Sequence, residues 1–268
     1  MTTTTAPATP TTTGMRLSLD GIRIAYGGKT VLENLELAIT PGEILVVVGK
    51  SGCGKSTLLR AIAGLRKPDR GVIRADGIAV TGPSADRALV FQDDALLPWR
   101  TVRQNIELAL QLRKVPRAER KASARHWVEE VGLTGYADYL PRDLSGGMRQ
   151  RVQLARSLAG SPRAVLMDEP FGALDTQTRT TMQRLLIDTW RAHPTTVVFV
   201  THDLDEALLL GDRIAVLGDS GLGDSGLGDS GLGDSGLGGG VLHTLVDVPE
   251  PRTPADRRSV KAEILEKL

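Results

Sequence analysis

Apolar and polar positions alternate early in the chain, with Leu17 and Leu19 followed by Ile22 and Ile24 on either side of Asp20-Gly21. Period-two spacing predicts strands with one buried face, and the Asp-Gly pair predicts a hairpin turn between them. Leu35, Leu37 and Ile39 repeat the alternation over 34–39 and stop at the turn pair Pro41-Gly42. The texture then becomes a solid apolar run, Ile44-Leu45-Val46-Val47-Val48, which predicts a strand buried on both faces. A helical run beginning Leu58-Leu59-Arg60-Ala61-Ile62 follows and closes at Gly64, with Pro68 barring continuation. Short strands with Asp-Gly punctuation are expected over 71–80, and the apolar strand Ala88-Leu89-Val90-Phe91 ends at Gln92.

Beyond Gln92 the strand signal fades. Helical spacing over 105–112 and 118–131 is broken at Pro116, Gly132 and Pro141, which predicts a helical insertion spanning about 93–159. A further helix runs from Met148, with the stripe Met148, Val152, Ala155 and Ala159 and with Ser145 as its N-cap. Strand and helix then alternate. Ala164-Val165-Leu166-Met167 is a strand ending at Asp168-Glu169, and a helix over 176–192 carries Met182, Leu185, Leu186 and Trp190 inward behind a cap at Asp175. A strand over 196–201 ends at His202-Asp203, followed by a helix over 204–210 and a strand over 213–217. This alternation predicts an α/β fold.

Two stretches fall outside any period. Residues 1–13 are mostly threonine with prolines and read as a disordered tail, without the basic start and apolar centre of a secretory signal. Gly-Asp-Ser-Gly-Leu repeats over 218–240 have no room for a helix and few strand formers, so a flexible loop is expected there, then a strand over 241–248 and a charged helix over 259–268.

Composition narrows the classes. A chain of 268 residues holds one good core with room for an inserted subdomain. With 33 basic and 32 acidic residues there is no global field to attract nucleic acid. Cys53 is the only cysteine, so no intrachain disulfide is possible and a reducing compartment fits. No stretch approaches the roughly 18 to 20 apolar residues of a membrane-spanning helix, which points to a soluble or peripheral protein.

The chemistry begins in the loop Gly49-Lys50-Ser51-Gly52-Cys53-Gly54-Lys55-Ser56-Thr57, set between a strand and a helix. Its glycines let backbone N–H groups converge on an anion, and the helix start adds its positive dipole end. Lys55 is placed to reach the β- and γ-phosphates of a nucleoside triphosphate, and Ser56 to ligate Mg2+. Asp168 and Glu169, at a strand end, suit a Mg2+ contact and the orientation of a nucleophilic water respectively. His202 and Gln92 terminate strands that face the same crevice, His202 as a γ-phosphate contact and Gln92 as a Mg2+ or water contact. Tyr26, just before Gly27-Gly28, either stacks on a base or caps a sheet edge. Leu144-Ser145-Gly146-Gly147-Met148 places two glycines inside a capped helix start, a second possible phosphate reader. Leu96, Leu97 and Trp99 are either core or an exposed anchor for a partner helix.

Taken together these motifs resemble the ATP-binding subunits of ABC transporters over 17–247. Residues 49–57 look like Walker A, Gln92 like the Q-loop glutamine, 144–148 like the LSGGQ signature, and Asp168-Glu169 like Walker B with its base. Residues 172–175 resemble the D-loop, His202 the switch histidine, and Tyr26 the adenine-stacking aromatic. Met148 replaces the usual glutamine, and the repeat is an addition. The resemblance implies a P-loop NTPase (RecA-like) core with an antiparallel β subdomain and an inserted α-helical subdomain, the ABC ATPase domain covering 15–247 between a tail at 1–14 and a helical tail at 248–268. It implies ATP and Mg2+ as cofactors, and a homodimer in which Ser145, Gly146 and Gly147 close in trans on the nucleotide held by Lys55, so that two phosphate readers serve one site.

Val-Phe-Gln-Asp-Asp-Ala-Leu-Leu-Pro-Trp and Asp-Glu-Pro-Phe-Gly-Ala-Leu-Asp are similar to the nitrate/sulfonate/taurine importer branch. That implies an ATPase on the cytoplasmic face of the bacterial inner membrane. It would work with a permease docking near Leu96, Leu97 and Trp99, and indirectly with a periplasmic or extracellular substrate-binding protein, with no nucleic acid partner. The implied solute is a small sulfonate such as taurine, with alkanesulfonate or nitrate as alternatives. A soluble ABC ATPase acting on DNA or ribosomes usually carries two nucleotide-binding units or a long insertion, which this chain lacks. A P-loop kinase has no use for the signature.

Overall fold

The computed structural model describes residues 14–219, 240–249 and 254–266. The expected tail at 1–13 and nearly all of the expected repeat loop lie outside them, as do residues 250–253 and 267–268, the last two within the helix expected over 259–268.

Ten strands form one mixed sheet in the order β5-β4-β1-β2-β10-β9-β3-β8-β7-β6. At one end, β1 (Leu17–Tyr26), β2 (Lys29–Ile39), β4 (Arg70–Ala75) and β5 (Ile78–Ala79) pair antiparallel. At the other, β3 (Ile44–Gly49), β8 (Thr196–Val200), β7 (Ala164–Asp168) and β6 (Arg87–Val90) pair parallel. Between them β9 (Arg213–Asp219) runs parallel to β3, and β10 (Gly240–Asp247) joins β9 to β2.

The parallel strands are buried on both faces, as their unbroken apolar runs require. Along β3, Ile44, Val46 and Val48 enter one core while Leu45 and Val47 enter the other. The second core holds α1 (Lys55–Ala63) through Leu58, Leu59 and Ile62 under the antiparallel wing. The first is shared by the remaining helices: α2 (Val102–Leu112), α3 (Arg117–Glu130), α4 (Gly146–Ala159), α5 (Thr176–Ala192), α6 (Leu204–Leu210) and α7 (Pro254–Leu265). Helix α7 docks there through Val260 and Ile264, with Lys261 donating to Asp205 of α6 at 2.7 Å.

Three expectations are corrected. The Asp20-Gly21 pair is not a hairpin turn. Leu17 and Leu19 are odd-numbered and Ile22 and Ile24 even, yet all four are buried, so one extra residue must be absorbed. The strand does this with a bulge at Gly21, φ 59°, and continues to Tyr26, where Gly27 and Gly28 turn the chain. β4 approaches the bulge so closely that Gly71 has no room for a side chain, since a Cβ there would stand 2.3 Å from Gly21 O. Strand β6 ends at Val90, so Gln92 lies in the following loop rather than at a strand end.

The third correction concerns Leu96, which is a core residue and no part of an exposed anchor. Asn105, fully buried on α2, explains the loop. Its Oδ1 accepts from Leu97 N at 2.9 Å, and its Nδ2 donates to Leu97 O and Arg100 O at 3.2 and 3.0 Å. Leu96 is drawn inward by this arrangement, Leu97 is half-buried, and Trp99 stands out at 71% exposure. Helix α2 itself starts at Val102, earlier than expected, because Thr101 and Gln104 form a capping box.

Candidate functional site

The carboxyl ends of β3, β7 and β8 are neighbours in the sheet, and the polar residues that follow them converge for that reason. After β3 the chain must turn tightly. A Cβ on Gly49 would meet Leu217 O at 2.3 Å, and Gly52 and Gly54 adopt φ 87° and 98°, where only glycine sits without strain. Lys50, Ser51 and Gly52 are exposed at the mouth of the loop. Cys53 keeps its place, but its side chain is buried in the core beside Gly49 and offers nothing to the mouth.

Helix α1 starts at Lys55 behind Gly54, and no side chain caps it. Its first N–H groups are therefore available at the positive end of the helix dipole. The Lys55 side chain is buried and its ammonium turns back over the loop, donating to Gly49 O at 2.7 Å and Lys50 O at 2.9 Å. Thr57 follows Ser56 on the same turn, half-buried.

Ser56 Oγ donates to Asp168 Oδ1 at 3.0 Å. Burial pushes the Asp168 carboxyl above its ordinary pKa, the Ser56 hydrogen bond opposes this, and the charge of Glu169 adds to it. Glu169 itself sits at φ 44°, a left-handed conformation that costs a residue with a side chain on the order of 1 kcal/mol. Its N–H donates to Val200 O at 3.0 Å, which ties the strained residue to β8. The strain turns the carboxylate toward His202, whose Nδ1 lies 3.0 Å from Glu169 Oε2. Gln92 comes to the same corner. A Cβ on Gly172 would stand 3.9 Å from Gln92 Nε2 and 3.7 Å from Glu169 Oε2.

Lys55, Ser56, Asp168, Glu169, His202 and Gln92 thus form one surface, with hard oxygen donors at one end and a carboxylate–imidazole pair at the other. Such a set can hold a phosphate chain and a divalent cation and can orient a water. Tyr26 ends β1 with its ring 45% exposed, and the Arg66 guanidinium carbon lies 5.3 Å from the ring centroid. Arg66 is held in turn by Asp69 at 2.8 Å and Ala25 O at 3.0 Å.

Ser145, Gly146 and Gly147 are not brought to this surface by their own chain. Ser145 Oγ accepts from Met148 N at 3.3 Å, as an N-cap should, while Ser145 and Gly146 are exposed. Gly147 packs on α5, where a Cβ would stand 2.6 Å from Thr178 Cγ2. Asp175 caps α5 by accepting from Gln177 N and Thr178 N at 3.1 and 3.0 Å.

The sequence reading missed a set of residues on α4 that bind the Gln92 loop. Gln153 Nε2 donates to Phe91 O and to Asp93 O, both at 3.0 Å, and so brackets Gln92. Arg149 Nε pairs with Asp94 Oδ2 at 2.7 Å, and Arg156 donates to Ala95 O at 2.8 Å and Asp94 O at 3.2 Å. An arginine or glutamine on a helix face gives no local signal, and these partners lie more than fifty residues away in sequence.

The raised Asp168 pKa has a sign. Because the Asp168 carboxyl is raised in the folded state, its ionisation carries a penalty that is absent below the unfolded pKa of about 3.9, grows as pH rises toward the folded value and is fully present above it. Asp168→Asn keeps an acceptor for Ser56 and removes the charge. In the nucleotide-free protein it should raise Tm at pH 7, with the gain shrinking toward pH 4. Calorimetric scans across that range measure it, and an unchanged or lowered Tm at pH 7 would contradict the assignment.

Comparison with known proteins agrees with this geometry. Residues 32–172 match the family model described as ABC transporter. The chain is 47% identical over 201 residues to the taurine import ATP-binding protein of Yersinia pestis, covering 75% of this chain and 79% of that one. It is equally 47% identical over 207 residues to the nitrate import ATP-binding protein of Synechocystis, covering 76% and 78%. Among solved structures, a dimeric post-hydrolysis ATP-binding cassette bound to ADP and phosphate aligns with TM-score 0.69 and 30% identity, over 87% of this chain and 99% of that one. The cbiO1 protein of Clostridium perfringens, part of the ABC transporter complex cbiONQ, aligns with TM-score 0.69 and 26% identity, over 75% and 83%.

Proposed function

This chain belongs to the ABC transporter family, in the branch of nitrate and taurine import ATP-binding proteins, and from that premise we propose that it hydrolyses ATP to energise import of a small oxyanion, a sulfonate such as taurine first. The observation that carries the ATPase reading is the pair of 3.0 Å contacts at adjoining strand ends, Ser56 to Asp168 and Glu169 to His202, beside the buried Lys55.

The residues fit the nucleotide and the cation. Lys55 spends its ammonium on two loop carbonyls, and a phosphate would be a stronger partner for it than either. The Ser56 hydroxyl and the Asp168 carboxylate are the hard oxygens Mg2+ takes, with Gln92 nearby as a further oxygen. Bound there, Mg2+ would neutralise charge on the phosphates. Lys50, Ser51, Gly52 and Gly54 supply the rest of the cradle, the Cys53 and Thr57 positions contribute through backbone or hydroxyl, and Tyr26 offers its exposed ring to the adenine. Glu169 acts as general base toward the attacking water. His202 holds that carboxylate in place and is free to turn to the γ-phosphate. Ser145 and Gly146 face outward, and with half-buried Gly147 beside them they would complete the site of a second copy, so the working unit is a homodimer.

Trp99 and half-buried Leu97 are the surface we assign to the permease, with Leu96 beneath them. Among the described residues no helix is long and apolar enough to cross a membrane, and we place the chain at the cytoplasmic face, bound through that permease. The ATPase domain is assigned to 15–247 and its helical part to about 93–159.

Glu169→Gln should keep ATP binding, lower kcat by at least about a hundredfold, and accumulate as an ATP-bound dimer on size exclusion. Turnover at the parent rate would remove Glu169 as the base.

Gln153 is a positioning residue that acts through Gln92. Gln153→Met fills similar space without donating, so it should lower kcat about tenfold or more and weaken activation by Mg2+, with KM for ATP and Tm little changed. Equal loss in KM and Tm would make Gln153 a packing residue only.

Identity does not separate taurine from nitrate, so growth decides. A strain deleted for this protein should fail on taurine as sole sulfur source and recover with the parent gene but not with Glu169→Gln. Failure only on nitrate as sole nitrogen source, or only on a longer alkanesulfonate, would reassign the solute. Normal growth on all three would overturn the importer reading for these compounds.

A further inference from the structure

Away from the nucleotide surface, two of the chain's four histidines meet. His126 and Glu130 lie one turn apart on the same face of α3, and His193 ends α5 at its C-cap. One donor atom from each of the three lies within 4.8 Å of the others, with His126 Nε2 3.7 Å from Glu130 Oε1. The His193 ring is steadied by Trp127, the residue beside His126, whose ring centroid stands 4.9 Å away at a 42° tilt. The His193 N–H donates to Thr189 O at 2.9 Å, which fixes its backbone at the end of α5.

We propose that His126, Glu130 and His193 form a zinc site that clamps α3 to the C-terminal end of α5. Two imidazoles and one carboxylate are a donor set suited to Zn2+ and to its neighbours Co2+ and Ni2+, and poorly suited to Mg2+ or Ca2+, which take oxygen. With bonds of roughly 2.0 to 2.2 Å, the donor atoms of a tetrahedral zinc site stand about 3.3 to 3.5 Å apart. All three side chains are exposed, so donor atoms that now lie within 4.8 Å of one another are free to close to that spacing by side-chain rotation. Three protein ligands leave the fourth position to water.

The consequence is mechanical. Residues 126 and 130 belong to a helix packed on α2 and α4, while His193 closes the helix whose other end holds Thr178 against Gly147. An ion bound by both would add a constraint between elements otherwise joined there by side-chain packing. Because an unfolded chain does not keep these ligands together, occupancy stabilises the fold by mass action.

The test uses the full chain without a histidine tag, stripped of metal. Titration with ZnCl2 should show one saturable ion per chain at micromolar levels and a rise in Tm, and Co2+ should give the visible absorption of a tetrahedral site. His126→Ala and His193→Ala should each weaken binding by more than the tenfold typical of losing an outer contact, and His243→Ala should not. His193→Gln, which keeps polarity and size, guards against a variant that fails to fold, and the metal-free Tm of each variant should match the parent. Unchanged binding in the His126 and His193 variants overturns the proposal, as does loss of binding only in His202→Ala, which would put the ion at Glu169. No saturable binding below millimolar Zn2+ overturns it too.

Discussion

A buried ammonium governs the site. Lys55 is 6% exposed, and its contacts are two backbone carbonyls; among the described residues no carboxylate stands within ion-pair distance. Two neutral carbonyls occupy two of the ammonium's three donors and bring no opposite charge into contact with it. The surrounding loop cannot relax to relieve this. Gly49 is pressed against Leu217 and Gly54 against Val31 and Leu32, so the loop's path is set by β9 and β2 on either side. A charged group held in a fixed concave frame favours an anion there, and the two carboxylates at the end of β7 favour a cation alongside it.

That frame explains what could be read from the sequence and what could not. The loop at 49–57 and the ends of β7 and β8 were legible because each residue type there answers to a local requirement: φ above zero, a reach of one lysine, a carboxylate at a strand terminus. Asp175 as a helix cap and the inward face of α5 were legible for the same reason. The bulge at Gly21 was hidden behind a familiar turn pair. The parity change from Leu17 and Leu19 to Ile22 and Ile24 was present in the sequence, and it is resolved by pairing with β2 and β4 rather than by anything local. Leu96 was ambiguous for a similar reason, since the residue that draws it inward is Asn105 on the following helix. Gln153 left no trace at all, because a glutamine on a helix has meaning only through what faces it.

Helix α4 is where these levels meet. At its first turn Gly147 packs on Thr178 of α5, and farther along Arg149, Gln153 and Arg156 hold Phe91, Asp93, Asp94 and Ala95, the residues on either side of Gln92. At about 1.5 Å of rise per residue, Gly146 in the exposed first turn lies roughly 10 Å along the axis from Gln153. Gln92, in turn, shares its corner with Glu169, and Glu169 is held in a left-handed conformation by β8. The strained carboxylate is therefore fixed to the sheet, while the glutamine opposite it is fixed to α4.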